Sequence, residues 1–113
     1  MMNHSRWKTA RTRALLGEQV SEDSAVAALR LEIRYALVFG QAHYDRRTEL
    51  GLSKGEVARR AGLTLAQIEQ IEGGDTVPTL PLLQRLAAAL EAELDIHVAA
   101  GAEAEVRFHS PAA

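Results

Sequence analysis

The 113-residue chain contains no cysteine. A disulfide framework and any thiolate metal site are therefore excluded, and the composition suits a reducing compartment. Aromatic residues make up only 4%, so a core has to be built from Leu, Ile, Val and Ala. The apolar share of 47% is enough for the modest core of one domain. No apolar run approaches the roughly 18–20 residues of a membrane span. The first residues also lack the apolar core of a secretory signal, so a cytoplasmic protein is expected. There is no phosphate loop and no H-E-x-x-H pair, and the four histidines (His4, His43, His97 and His109) lie far apart in sequence. Only His97 and His109 sit where a hairpin would bring them together. No enzyme activity, cofactor or metal is expected.

Net positive charge is lacking too: the formal charge is −2. The distribution says more than the sum. Residues 1–60 hold eleven Lys/Arg against seven Asp/Glu, while residues 61–113 hold two against eight. One face of the folded chain can thus be basic although the whole is acidic.

What is present is a pair of short capped helices between Leu52 and Glu72. Ser53 is a good N-cap and Glu56 follows three residues later, which predicts a capping box. Val57, Ala58 and Ala61 share one face. Gly62 sits where a helix ends in a left-handed turn. Thr64 caps again, with Gln67 three residues on, and Leu65, Ile68 and Ile71 recur near helical spacing. Gly73 and Gly74 close the pair. Two short helices joined by a glycine-containing turn predict a helix-turn-helix.

The flanks organise around this unit. Residues 1–22 form a basic polar arm with Arg6, Lys8, Arg11, Arg13 and a lone Trp7. It reads either as a loosely docked tail or as an arm that grips a partner or the minor groove. Ala10, Ala14 and Leu15 have the spacing of a short helix. Residues 23–92 comprise the helix-turn-helix domain with a long first helix, from about Asp23 to Glu49, capped by Ser21 or Ser24. Its stripe is Val26, Leu29, Ile33, Ala36, Leu37 and Gly40, and Tyr35–Phe39 is apolar all round, which predicts cover on more than one side. Thr79 caps a last helix through about Glu91, with Pro81 in its first turn. Residues 93–113 change period. Leu94, Ile96 and Val98 alternate with polar residues, as do Val106 and Phe108, predicting one strand or a hairpin before a frayed tail.

The stretch Tyr44–Val98 resembles the XRE family of phage-repressor-type helix-turn-helix proteins. The resemblance is carried by R-R-T-E-L-G-L-S-K-G-E-V-A-R-R-A-G-L-T-L-A-Q-I-E-Q-I-E-G-G and then V-P-T-L-P-L-L-Q-R-L-A-A-A-L. It implies a mainly α, five-helix repressor-type domain, here with an N-terminal helical extension and a C-terminal strand or hairpin. It further implies a homodimer on a palindromic double-stranded DNA operator, and a clamp between Arg47 and Glu72 that also turns Arg47 toward a phosphate.

The resemblance places Leu65, Ala66, Gln67, Glu69 and Gln70 of the second short helix at the major groove. Gln67 and Gln70 have the chemistry to pair with adenine, Ala66 to meet a thymine methyl and Glu69 to accept from cytosine. Leu65 either meets thymine methyls or packs inward. Phosphate contacts are expected from Lys54, from the Ser53 and Thr64 hydroxyls with their helix N-termini, and from Thr76. Arg46, Arg59 and Arg60 are secondary candidates. Dimerisation is expected through Leu94, Ile96 and Val98, or through the exposed face of the Pro81–Glu91 helix. The strand, the long first helix and the arm with its early Trp are similar to HigA-like antitoxins. That likeness implies a regulator that represses its own operon and neutralises a RelE/HigB-like toxin. The alternative is a stand-alone repressor of the same family.

Overall fold

Apolar spacing of three and four residues runs as far as Leu90, and spacing of two takes over beyond it. The order of elements follows that change. The computed structural model describes the backbone of residues 10–112 and the side chains of residues 23–112. Helix α1 is Ala10–Glu49, α2 Lys54–Ala61, α3 Leu65–Glu72 and α4 Leu80–Ala89, followed by strands β1, Glu93–His97, and β2, Glu105–His109. The described residues thus hold four helices where five were expected. After Leu90 the alternation of Leu94 and Ile96 with Asp95 and His97 suits a half-buried strand, and the chain forms an antiparallel hairpin pairing Leu94 with Phe108 and Ile96 with Val106.

Helix α1 begins at Ala10, well before the expected Asp23, and ends at the expected Glu49. Readings that rest on Arg6, Lys8 and Trp7, or on the side chains of Arg11 and Arg13, lie outside the described residues. The chain divides into two units, Met1–Leu31 and Glu32–Ala113, with the division inside α1. Among the described residues no helix is long and apolar enough to cross a membrane.

The core of the second unit is aliphatic, as the scarcity of aromatics requires. Val57, Ala58 and Ala61 of α2 meet Ile68 and Ile71 of α3 and Leu83, Leu86 and Ala89 of α4, with Phe39 and Ala42 of α1 and Phe108 of β2 completing it. Ile68, Ile71, Leu86 and Leu90 are fully buried. Each such side chain contributes about 1.5–3 kcal/mol relative to exposure. The all-round apolar section of α1 is covered less than expected: Ala36 and Phe39 are buried, whereas Leu37 remains 55% exposed.

Helix ends are closed by three devices. Ser53, Thr64 and Thr79 each accept a backbone N–H from the third residue beyond. Gly62 takes the left-handed conformation at φ +69°, open to glycine without strain, and its N–H returns to Ala58 and Arg59 carbonyls. Arginines supply the third device. Arg85 donates to the carbonyls of Ala61 (3.0 Å) and Gly62 (2.6 Å) at the end of α2. Buried Arg46 donates to the carbonyls of Leu90 (3.0 Å) and Glu91 (2.8 Å) at the end of α4, and to Ser110 Oγ after β2 (3.2 Å). These carbonyls would otherwise be orphans of their helix termini. Glu91 is the one non-glycine residue with positive φ, 49°, among the described residues. Its carbonyl and carboxylate are held by Arg46 and Arg60 respectively.

The contact of α1 with α3 depends on Gly40. A Cβ there would lie 2.7 Å from the Glu72 carbonyl oxygen and 2.8 Å from that of Ile71, so the two backbones touch. Gly40→Ala is expected to lower the unfolding free energy by about 1–3 kcal/mol through overpacking against backbone, read by urea denaturation. An unchanged or raised midpoint would show that the helices are not in contact there.

Candidate nucleic-acid interface

Helix α3 buries Ile68 and Ile71, half-buries Glu72 at its end and leaves its other residues open. Leu65, Ala66, Gln67, Glu69 and Gln70 are all exposed. Leu65 is 49% exposed, so of its two expected placements the structure shows the outward one. Thr64 heads the helix with a complete capping box: Gln67 N–H donates to Thr64 Oγ1 at 3.1 Å, and Gln67 Oε1 accepts the Thr64 N–H at 2.9 Å. The Gln67 side chain is therefore partly committed. Its carbonyl oxygen serves the cap and its amide NH₂ stays available, whereas Gln70 is exposed without such a tie.

The preceding helix α2 differs from its expected cap. Ser53 Oγ accepts the Glu56 N–H at 3.1 Å. The Glu56 carboxylate does not return to Ser53; it accepts from Arg59 Nη2 at 2.5 Å and Arg60 Nε at 3.1 Å. Those hydrogen bonds, from Arg59 first and Arg60 second, hold its carboxyl down at about 2. Arg60 also reaches the Ala89 carbonyl and Glu91 carboxylate. Of the secondary phosphate candidates, Arg46 is buried in the fold, and Arg59 and Arg60 are engaged with Glu56. Lys54 stands at the start of α2 and lines an open concavity with Gly40, Gln41, Tyr44, Glu69 and Gly73. Ser53, Thr64 and Thr76 are exposed.

The far end of α3 is tied to α1 by one carboxylate. Arg47 Nε–H donates to Glu72 Oε2 at 2.8 Å and Nη2–H to Oε1 at 2.6 Å, a bidentate pair. Arg47 Nη1–H donates to the Leu52 carbonyl at 2.8 Å, and its guanidinium lies 5.5 Å from the Tyr44 ring centre. Three of the five guanidinium N–H groups are thus used internally. A third donor reaches Glu72: His43 Nδ1 lies 2.7 Å from Oε2. Burial pushes the Glu72 carboxyl upward, but the hydrogen bonds from Arg47 and His43 outweigh it and hold the group below the ordinary carboxylate value.

Reading the sequence for site residues misses His43 and the close approach at Gly40. A signal is there: Ala36, Gly40, His43 and Arg47 follow i, i+4, i+7 and i+11, one stripe of a helix. On the C-terminal side, Leu94 packs on the core, while Ile96 is 41% and Val98 65% exposed. One edge of β1 is taken by β2, and no other strand of the described residues pairs with it. His97 and His109 do not come together as a metal pair; His109 Nε2 instead lies 2.7 Å from Asp95 Oδ2, and no group of three metal-ligating residues forms among the described residues.

Comparison with known proteins adds two findings. A family model described as helix-turn-helix matches residues 44–96. The crystal structure of the restriction-modification controller protein C.AhdI from Aeromonas hydrophila is similar at 33% identity and a TM-score of 0.50, over 51% of this chain and 88% of that one. No curated protein matches the chain.

The Glu72 contacts carry a pH signature. With its carboxyl held below the ordinary value, Glu72 stabilises the fold above about pH 4.5, and that contribution is lost as pH falls through the folded-state value. Glu72→Gln is therefore expected to be less stable than the natural protein at pH 7 and to converge on it in acid. A difference that stays constant with pH, read by thermal unfolding, would show that the carboxylate charge is not what holds.

Proposed function

The chain belongs to the XRE-type helix-turn-helix family, and we propose that it regulates transcription by setting the exposed face of α3 into the major groove of an operator. It is a DNA-binding regulator and not an enzyme. The observation that carries the site assignment is geometric. Leu65, Ala66, Gln67, Glu69 and Gln70 are outward on a helix whose N-terminus is capped and whose C-terminus is clamped. An exposed face on a doubly fixed helix is what base readout needs.

Within that face Gln70 is the principal reader, since both ends of its amide can meet adenine. Gln67 contributes its NH₂ while its oxygen keeps the cap. Leu65 and Ala66 offer apolar contact to thymine methyls. Lys54, with the Ser53 and Thr64 hydroxyls and Thr76, supports phosphate contact around the reading helix. Arg47 has at most two N–H groups left for a phosphate, so the clamp is its main task. A two-fold dimer then reads half-sites about 34 Å apart. Exposed Ile96 and Val98, beside half-buried Leu94 at the free edge of β1, support pairing there between two copies.

A finer reading makes the protein an antitoxin that also holds a RelE/HigB-like toxin. It is supported by α1, which begins at Ala10, well before the matched segment 44–96, and by the second half of the hairpin, which follows it. The likeness to a restriction-modification controller supports the stand-alone regulator instead. Co-expression with the neighbouring gene separates the two: a co-purifying basic ribonuclease identifies the antitoxin, and its absence leaves the repressor.

DNA binding is tested by anisotropy with the duplex upstream of the protein's own coding sequence. A dimer neutralising about six to eight phosphates is expected to give a log–log salt slope of about −5 to −7. Gln70→Ala is expected to cost about 1–3 kcal/mol of specific affinity, and Lys54→Ala to flatten the slope without changing sequence preference. A slope near zero for the natural protein would overturn the proposal.

A further inference from the structure

His43 has no part in reading DNA, yet it is fully buried beneath the recognition helix. Its Nδ1 faces the Glu72 carboxylate at 2.7 Å, so the proton of the neutral ring sits on Nδ1 and is donated. Its Nε2 is buried and meets no partner. The ring stands edge-on to Phe108 of β2 at 6.5 Å between centroids. Three elements therefore close on one imidazole: α1 carries it, α3 accepts its proton and the hairpin covers it.

We propose that His43 is a positioning residue whose neutral, Nδ1-protonated form seats the C-terminal end of α3, and that a proton on its buried Nε2 unseats it in mild acid. The charges around the ring explain the direction. From α3 the ring faces Glu72, from its own helix Arg47, and from β2 the apolar ring of Phe108. His109, next to Phe108, turns to the other side of the hairpin and bonds to Asp95. The single Glu72 carboxylate is already matched by the Arg47 guanidinium. A charged His43 would be a second buried cation with no anion of its own, and its new N–H would have no acceptor. Burial accordingly pushes the His43 pKa below the ordinary histidine value, against the upward pull of Glu72.

The sign follows from linkage. The folded protein resists protonation more than the unfolded chain does, so seating is complete above the ordinary histidine value near about 6.5 and weakens as pH falls below it. His109 runs the other way: its backbone bond to Ser110 and its pairing with Asp95 raise its pKa, so its contribution is full below the ordinary value and is lost as pH rises through the folded one. The effect on operator affinity rests on the DNA reading above, whereas the seating of α3 does not.

Two measurements on the full chain test this. Imidazole ¹⁵N shifts are expected to show the Nδ1–H tautomer for His43 in neutral solution. Amide hydrogen exchange of α3, corrected for intrinsic rates, is expected to lose protection between about pH 7.5 and pH 5.5, by at most about tenfold per pH unit for one proton. His43→Asn keeps an N–H donor near the Nδ1 position and cannot titrate, so its α3 protection should stay flat. His109→Gln should keep the natural pH dependence. An Nε2–H tautomer, or titration of His43 with no change in α3 protection, overturns the proposal from the natural protein alone, even if the Asn variant fails to fold. The same pH dependence in His43→Asn also overturns it. If the upstream duplex fails to bind at every pH while the exchange result holds, the DNA reading falls and the histidine latch stands.

Discussion

One carboxylate fixes the recognition helix. Glu72 is the last residue of α3, is largely buried, and accepts two N–H groups of Arg47 and one of His43. An ionised carboxylate taken from water is costly unless its oxygens are satisfied, and here three donors do so. All three reach across from α1. The same end of α3 meets α1 backbone to backbone at Gly40. Geometry and charge therefore act at one point, and the reading face on the far side of α3 inherits its orientation from it.

Several other arginines near the helix pair are also engaged within the fold. Arg46, Arg60 and Arg85 close the ends of helices by donating to carbonyls, and Arg59 sits on Glu56. In the proposed reading, phosphate contact falls to Lys54 and to hydroxyls and helix N-termini, which position a protein on DNA without naming bases. The same proposal leaves sequence choice to the exposed side chains of α3, with Gln70 exposed and Gln67 partly bound by its own cap.

Much of this is legible in the sequence alone. The Thr64 and Thr79 caps, the Gly62 turn and the change of period after Leu90 are local signals, and local rules suffice for them. The contacts that make the site are less legible because they join residues far apart in sequence. His43 reads as one more scattered histidine until α3 is laid across it. Arg46 and Arg47 are neighbours of identical type, yet a step of about 100° around α1 sends one into the fold beside α4 and the other to Glu72. Glu56 has the spacing of a capping box, but two arginines one turn on compete for its carboxylate and win. The described residues hold four of the five helices implied by the resemblance, and beyond Leu90 the expected strand alternation forms the hairpin. Helix α1 runs from Ala10, earlier than the stripe that starts at Val26 implies.

The claim that Glu72 and Arg47 together seat α3 is tested most directly by a double-mutant cycle. Arg47→Ala, Glu72→Ala and the double variant are compared by urea unfolding at neutral pH. A coupling energy above about 1 kcal/mol is expected for a largely buried bidentate pair. Additivity to within about 0.3–0.5 kcal/mol would mean that the recognition helix is held by its apolar face alone, and would contradict the role of the carboxylate as its anchor.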